Sequence, residues 1–392
     1  MNQVITDVNI LYGEDLIEKS EHSVLVKDGV IRKVVPRDEL PKDIPTSSAS
    51  GLYMIPGLID LHVHLMWDGS LNPVETQEKE CYEQKIIRAV ANCQRYLRHG
   101  ITTIRDVGSI NDISLQVAQG VKRGIIDGPN LIASGKTLTM TGGHDPFWAR
   151  FLDGTTDALK ATREQVYKGA RVIKVSATGG VYGRDEGESV LNAELTYEEL
   201  KTICEVAHQF GLKVASHAIG RDGILNSIKA GVDSIEHGHF LDEELIQMME
   251  DRNIAWVPTL FTYQQNSYAS GIPSYAQKKA KEIVEIHEHA FKNYFNRDIL
   301  IGCGTDAGAP CVVHPSILDE LLVMQRIVFN NKEVLKTATS NAGKILGRKI
   351  GQIKEGYVAD FTLVKQNPLK DLNNVKNVKC VYKNGELVSN HL

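Results

Sequence analysis

The sequence predicts an α/β protein: a (β/α)8 barrel carrying a small β-sandwich built from both ends of the chain. Three observations lead there. Short β-branched runs alternate with helical stretches through the middle, turn-linked strand pairs occupy both ends, and polar residues recur where the central strands finish. Alternating strand and helix implies a parallel sheet.

The N-terminal part reads as strands. In Val24-Leu25-Val26-Lys27-Asp28-Gly29-Val30-Ile31 a D-G pair between apolar runs predicts a two-residue hairpin. The central strands are Ile101–Asp106, Val172–Ser176, Lys213–His217, Ser234–His237, Trp256–Thr259 and Leu300–Asp306. Helical patterns such as Thr196–Phe210 and Ala276–Asn296 separate them. Residues 57–347 leave room for eight strand–helix units, since such a barrel takes about 250 residues. In the tail, Gly356–Val364 reads as a strand, and Cys380–Val388 carries an N-G pair between two more. Neither end is long enough for a core of its own. Residues 1–56 and 348–392 are therefore expected to pack together as the sandwich.

Composition narrows the function. With 44 Lys+Arg against 49 Asp+Glu the net charge is −5, a poor balance for gripping phosphates, so no nucleic-acid partner is expected. No window of about 18 apolar residues predicts a membrane helix. The N-terminus lacks a basic region followed by an apolar stretch, so no secretory signal is expected. Six scattered cysteines without a C-x-x-C fit free thiols, and the expected location is the cytoplasm.

The chemistry lies at the strand ends. His62 and His64, in Asp60-Leu61-His62-Val63-His64, are two apart on a strand and so share a face, although H-x-H also arises by chance. Lys174 sits inside a strand expected to be buried on both faces. Either it reaches a carboxylate, or CO2 carbamylates it into a bridging carboxylate. His217 and His237 each end an apolar run; singly, such a histidine is more often a hydrogen-bonded core residue. Asp306 ends the last strand, where it is also placed to cap a helix. Together these residues converge at the C-terminal mouth of a barrel, where such folds carry their sites. Four imidazoles with one or two carboxylates suit zinc, other divalent metals remaining open.

These residues resemble the amidohydrolase superfamily. The matching pieces are Pro56-Gly57-Leu58-Ile59-Asp60-Leu61-His62-Val63-His64, Lys174, His217, His237 and Asp306, with Asn341-Ala342-Gly343-Lys344 and Gly356-Tyr357-Val358-Ala359-Asp360 in the tail. Within the superfamily the chain looks most like the prolidase-like branch, the Xaa-Pro dipeptidases and metal-dependent carboxypeptidases. Thr141-Gly142-Gly143-His144, Thr178-Gly179-Gly180 and Ile235-Glu236-His237-Gly238 carry that likeness. The resemblance implies two divalent ions. His62, His64 and Asp306 would hold the more buried one and His217 and His237 the other, with carbamylated Lys174 and a hydroxide bridging them. Asp306 would also move the proton from hydroxide to leaving amine. The resemblance further implies that His144 and a loop tyrosine, here Tyr182, hold a substrate carboxylate.

Arg184 is added because a guanidinium suits a carboxylate; a solvated arginine and a loop-capping His144 are the plainer readings. His239 is expected to be structural, His314, Trp67 and Asp68 are rim candidates, and Glu236 is a partner candidate for a ligand. The expected activity is hydrolysis of the amide bond in dipeptides or N-acyl amino acids. Lactone, carboxylester or organophosphate hydrolysis is the alternative. Deamination fits less well, because related deaminases lack the bridging lysine, and a metal-free scaffold would not fill every ligand position. Homo-oligomers are common among such enzymes, but nothing in the sequence shows one.

Overall fold

The computed structural model describes residues 2–36, 44–184 and 187–391. The expected alternation is present. Six parallel strands run in the order Ala149–Leu152, Thr137–Met140, Val172–Ser176, Lys213–Ala218, Ser234–His237 and Ala255–Val257. Three more, Leu58–Val63, Ile101–Asp106 and Asn130–Ala133, form a second parallel sheet. Every residue of Leu58–Val63, Ile101–Asp106 and Val172–Ser176 is buried, as expected of strands covered on both faces.

The helices form for local reasons. Thr196 caps Tyr197–Gln209 through a reciprocal box: its hydroxyl accepts from Glu199 N at 3.2 Å, and Glu199 Oε2 accepts from Thr196 N at 2.9 Å. The helix then buries Leu200, Ile203, Cys204 and Ala207, one stripe at helical spacing.

The last expected strand behaves differently. Between Leu300 and Asp306 only Ile301 bridges a neighbour, Trp256. The bonds Trp256 N to Leu300 O and Gly302 N to Trp256 O, both 2.9 Å, make that bridge, and single backbone bonds carry the rest: Leu61 N to Cys303 O and Cys303 N to Thr337 O, both 2.9 Å, and Asp306 N to His62 O, 2.7 Å. The segment thus lies between the two parallel sheets and touches both, without a regular ladder. Gly304 explains the close approach, because a Cβ there would fall 2.8 Å from His62 Cβ and 2.4 Å from Val257 Cγ1. Asp306 then turns out of the extended region with φ of 54°.

Both chain ends meet in one eight-stranded sheet. The sandwich expected from the sequence is a single continuous sheet, because Asn9–Ile10 pairs in parallel with Tyr53–Met54, which joins the N-terminal strands to Phe361–Val364. The sheet curls over a core that includes Ile5, Val24, Ile31, Met54, Phe361 and Leu363. Both expected hairpins are present. Asp28-Gly29 has φ values of 53° and 74°, and Asn384-Gly385 has 50° and 76°, the paired left-handed geometry of tight two-residue turns. The two turns also touch: a Cβ on Gly385 would lie 2.6 Å from Val26 Cγ1, and one on Gly29 would lie 3.1 Å from Asn384 O.

That contact leaves no room for a branched side chain at a left-handed position. Gly385→Val is expected to lower stability by about 1–3 kcal/mol, read as a lower thermal midpoint. Glu386→Gln, at the neighbouring exposed position, should leave the midpoint unchanged.

Candidate metal centre and active site

The strand ends bring the expected residues to one place. His62 lies on Leu58–Val63 with His64 just beyond it, Lys174 on Val172–Ser176, His217 on Lys213–Ala218 and His237 at the end of Ser234–His237. All five are buried, and with Asp306 they line one cavity. Asp306 Oδ1 lies 3.3 Å from His64 Nε2 and 3.6 Å from His62 Nε2. The rings of His62 and His237 are 4.9 Å apart, and those of His217 and His237 are 4.6 Å apart. His62, His64 and Asp306 each offer a ligand atom within 4.8 Å of the others.

The outward ring nitrogens are already occupied. His62 Nδ1 bonds Glu236 Oε2 at 2.8 Å, His64 Nδ1 bonds Gly108 O at 3.1 Å and His237 Nδ1 meets Thr259 Oγ1 at 2.7 Å. Nε2 of each is left for the cavity. His217 is turned the other way, with Nε2 3.2 Å from Gly179 O and Nδ1 left over. Fixing one nitrogen of an imidazole is how metal-binding histidines are oriented. Burial holds His62 down to about 4 and keeps His217 and His237 well below the usual histidine range. These rings are neutral and offer lone pairs. A divalent cation fits this donor set.

Two groups depart from that rule. Burial disfavours charge on His64, yet the hydrogen bond and charge of Asp306, with the charge of Asp106, together raise it. Burial likewise disfavours charge on Asp306, but His64, His62 and Lys174 reverse the sign and lower it. Lys174 is lowered by its burial, and it makes no hydrogen bond or ion pair among the described residues. His237, Asp306 and Asp145 all have positive φ, 71°, 54° and 60°, a backbone region that non-glycine residues visit mainly in turns and at functional sites.

Beneath the histidines runs a polar network that the sequence reading only touched. Glu236 accepts from Arg105 Nη2 at 2.7 Å as well as pairing with His62, and all three are buried. Burial pushes the Glu236 carboxyl up, and the Arg105 and His62 contacts more than reverse this, holding it at about 2. Asp60 accepts from the Thr305 hydroxyl at 2.7 Å and Thr305 N at 3.1 Å, so the residue before Asp306 is pinned to the strand of His62.

The substrate-contact candidates are less uniform. His144 lines the cavity, its ring 4.3 Å from that of His217. Its Nδ1 meets Glu188 Oε1 at 2.6 Å and its Nε2 lies 3.2 Å from Asp145 Oδ1. Burial disfavours the charged ring, but Asp145 and Glu188 overcome this and raise it to about 9. Tyr182 also lines the cavity, while its hydroxyl donates to Asn72 Oδ1 at 2.5 Å. Arg184 does not reach the cavity lining. Among the described residues its buried Nε has no partner.

His239 is buried and stacked on His287, ring centres 3.7 Å apart, away from the cavity lining. His314 is held by the Tyr96 hydroxyl at 2.8 Å and Trp67 O at 3.1 Å, which makes it a brace rather than a rim residue. Trp67 lines the cavity wall, and Asp68 caps Ser70 N at 3.0 Å. Sequence reasoning missed Asp145, Trp148, Tyr263 and Asn266 in the lining. Asp145 directly follows His144 and was the one within reach.

The model of the amidohydrolase family matches residues 53–388. The chain belongs to the amidohydrolase family. An ochratoxinase from Aspergillus niger is 29% identical, the match covering 93% of this chain and 82% of that enzyme. A solved prolidase complexed with N-methylphosphonate-L-proline superposes with a TM-score of 0.91 at 27% identity, covering 100% of both chains. A solved Xaa-Pro dipeptidase with methionine bound in its active site gives 0.89 at 27% identity, covering 99% of this chain and 100% of that one.

For this amidohydrolase, Glu236→Gln would leave Arg105 buried without its counter-charge. Stability should fall by about 3–5 kcal/mol, read as a thermal midpoint, and divalent-ion affinity by about 10–100-fold, read by titration. Gly304→Ala should weaken ion binding too, by pressing on His62, while the far-ultraviolet dichroism of the folded protein persists.

Proposed function

We propose that this amidohydrolase cleaves the amide bond of dipeptides or N-acyl amino acids at a centre of two divalent metal ions, zinc being the first choice. The observation that carries the reading is the convergence of four buried imidazoles, Lys174 and Asp306 on one cavity. The prolidase and Xaa-Pro dipeptidase neighbours support the peptide-like substrate. In the same reading the strands around the cavity form a (β/α)8 barrel over residues 57–347, and residues 1–56 and 348–392 form a separate β unit.

His62, His64 and Asp306 would hold one ion and His217 and His237 the other, with Lys174 between them as its carbamate. A buried lysine whose charge is disfavoured is the amine form that adds CO2. When bound, such ions supply a deprotonated water near neutral pH and polarise the scissile carbonyl. The chain's own groups do the remainder. Asp306, held below the usual carboxylate range, accepts the proton of the attacking water and delivers it to the leaving amine, reach coming before pKa in such a role. Trp67 and Trp148, packed 4.3 Å apart beside His64, keep bulk water from that side. His144 meets the substrate's carboxylate, exchanging Asp145 for it at Nε2, and Tyr182 would have to exchange Asn72 in the same way. Arg184 lies outside this reading of the site.

Asp306→Asn is expected to keep the fold and much of the metal while turnover falls by about 100-fold or more. Near-normal kcat in metal-replete Asp306→Asn would remove the proton-shuttle role. Chelation should abolish activity and divalent ions restore it. A plate of metal-loaded enzyme with dipeptides, N-acyl amino acids, lactones and aryl phosphate esters separates the classes. Release of free amino acid supports the amide reading, and turnover confined to lactones or phosphate esters replaces it.

A further inference from the structure

The cavity wall beyond the metal-facing residues has an uneven supply of hydrogen-bonding groups. Its donors are mostly spent inside the protein. Trp67 Nε1 donates to Gln77 Oε1 at 2.9 Å, Trp148 Nε1 to Thr137 Oγ1 at 3.0 Å and the Thr262 hydroxyl to Thr305 O at 2.8 Å. Tyr182 donates to Asn72, and His144 faces Glu188 with one nitrogen and Asp145 with the other. The Tyr263 hydroxyl and the Asn266 side-chain NH2 remain among the described lining residues.

The acceptors are not spent. Asp145 is buried and lines the cavity, yet it receives only the Ser176 hydroxyl, 3.0 Å from Oδ2, and the His144 ring on Oδ1. A carboxylate has about four acceptor positions, so about half of its capacity is unfilled. Asn266, also buried and on the lining, has an Oδ1 with no partner among the described residues.

We propose that His144 and Asp145 together receive the two charged ends of a zwitterionic dipeptide, so that Asp145 selects substrates with a free α-ammonium over N-acyl amino acids. This rests on the amide-hydrolase reading and sharpens it. The incoming carboxylate takes the His144 Nε2 proton that Asp145 now faces. Asp145, released, takes the substrate's ammonium.

Charge balance makes the difference. An N-acyl amino acid would bring a third carboxylate to a ring already flanked by Asp145 and Glu188, and would leave Asp145 buried with the Ser176 hydroxyl but no cation beside it. A dipeptide exchanges one ion pair for two. Its charged ends lie about 5–6 Å apart, a span that two hydrogen bonds on either side of the 3.2 Å Nε2–Oδ1 contact accommodate.

The test compares alanyl-phenylalanine with propionyl-phenylalanine, which differs only in lacking the ammonium. Metal-loaded wild type should favour the alanyl compound in kcat/KM by about 10–100-fold, the worth of a charge-assisted contact. Asp145→Asn should bring that ratio close to one by losing activity on the alanyl compound alone. Equal turnover of both compounds by wild type would overturn the proposal. So would an equal loss on both in Asp145→Asn, which marks a structural role. Calorimetric binding of the two compounds to Asp306→Asn gives a second readout independent of turnover. If neither compound is hydrolysed the amide reading fails, and binding alone then decides: preference for the alanyl compound upholds the role of Asp145, while equal or absent binding overturns it.

Discussion

The buried carboxylate of Glu236 is the interaction on which the site depends. It receives Arg105 from one parallel strand, His62 from a second and the Ser234 hydroxyl from its own. Arg105 also donates to the Ser234 hydroxyl and to Leu61 O. An ion pair this deeply buried is costly unless its remaining hydrogen-bonding positions are filled, and here the added bonds fill them. The result is geometric: the network fixes the His62 ring, and the Asp60–Thr305 contact fixes the segment leading to Asp306 against the same strand. The His62 ring is therefore set by a carboxylate buried behind it, whereas His64, His217 and His237 are oriented by Gly108 O, Gly179 O and the Thr259 hydroxyl in the connections that follow strands.

That division explains what was legible in the sequence. Residues 62, 64, 174, 217 and 237 sit on or next to regular strands, where period and apolar flanks announce which side chain faces the mouth. The hairpins at Asp28-Gly29 and Asn384-Gly385 were legible because left-handed pairs of residues are chemically restricted. Arg105 was hidden inside an apolar-looking strand, since no local pattern says which distant strand supplies its counter-charge. Glu188 reaches His144 from 44 residues away along an irregular stretch, and no periodicity encodes such a contact. The segment Leu300–Asp306 reads as a strand by its composition, but its glycines and the turn at Asp306 replace the ladder with single bonds. Arg184, named from its position beyond the Lys174 strand, lies outside the cavity lining.

The region around His144 behaves as a preorganised polar pocket with its own counter-ions. The ring is bracketed by Glu188 and Asp145, and its backbone N–H is held by Glu194 Oε2 at 2.7 Å. Glu188 itself gathers the N–H groups of Gly180 and Arg184, while Lys279 bonds the carbonyls of the same two residues. A carboxylate and a lysine thus shape the loop that carries Tyr182. Rigidity of this kind lowers the ordering cost of binding.

The joined chain ends have a consequence for biogenesis. The strand Tyr53–Pro56 is flanked on one side by Asn9–Ile10 and on the other by Phe361–Val364, more than 300 residues later. During vectorial synthesis the early strands leave the ribosome long before that neighbour exists, with one edge of the nascent sheet unpaired. An open apolar edge is a template for pairing with another chain. The intervening parallel strands and helices can fold in the meantime from contacts already translated, while the terminal sheet is complete only once Phe361–Val364 has emerged.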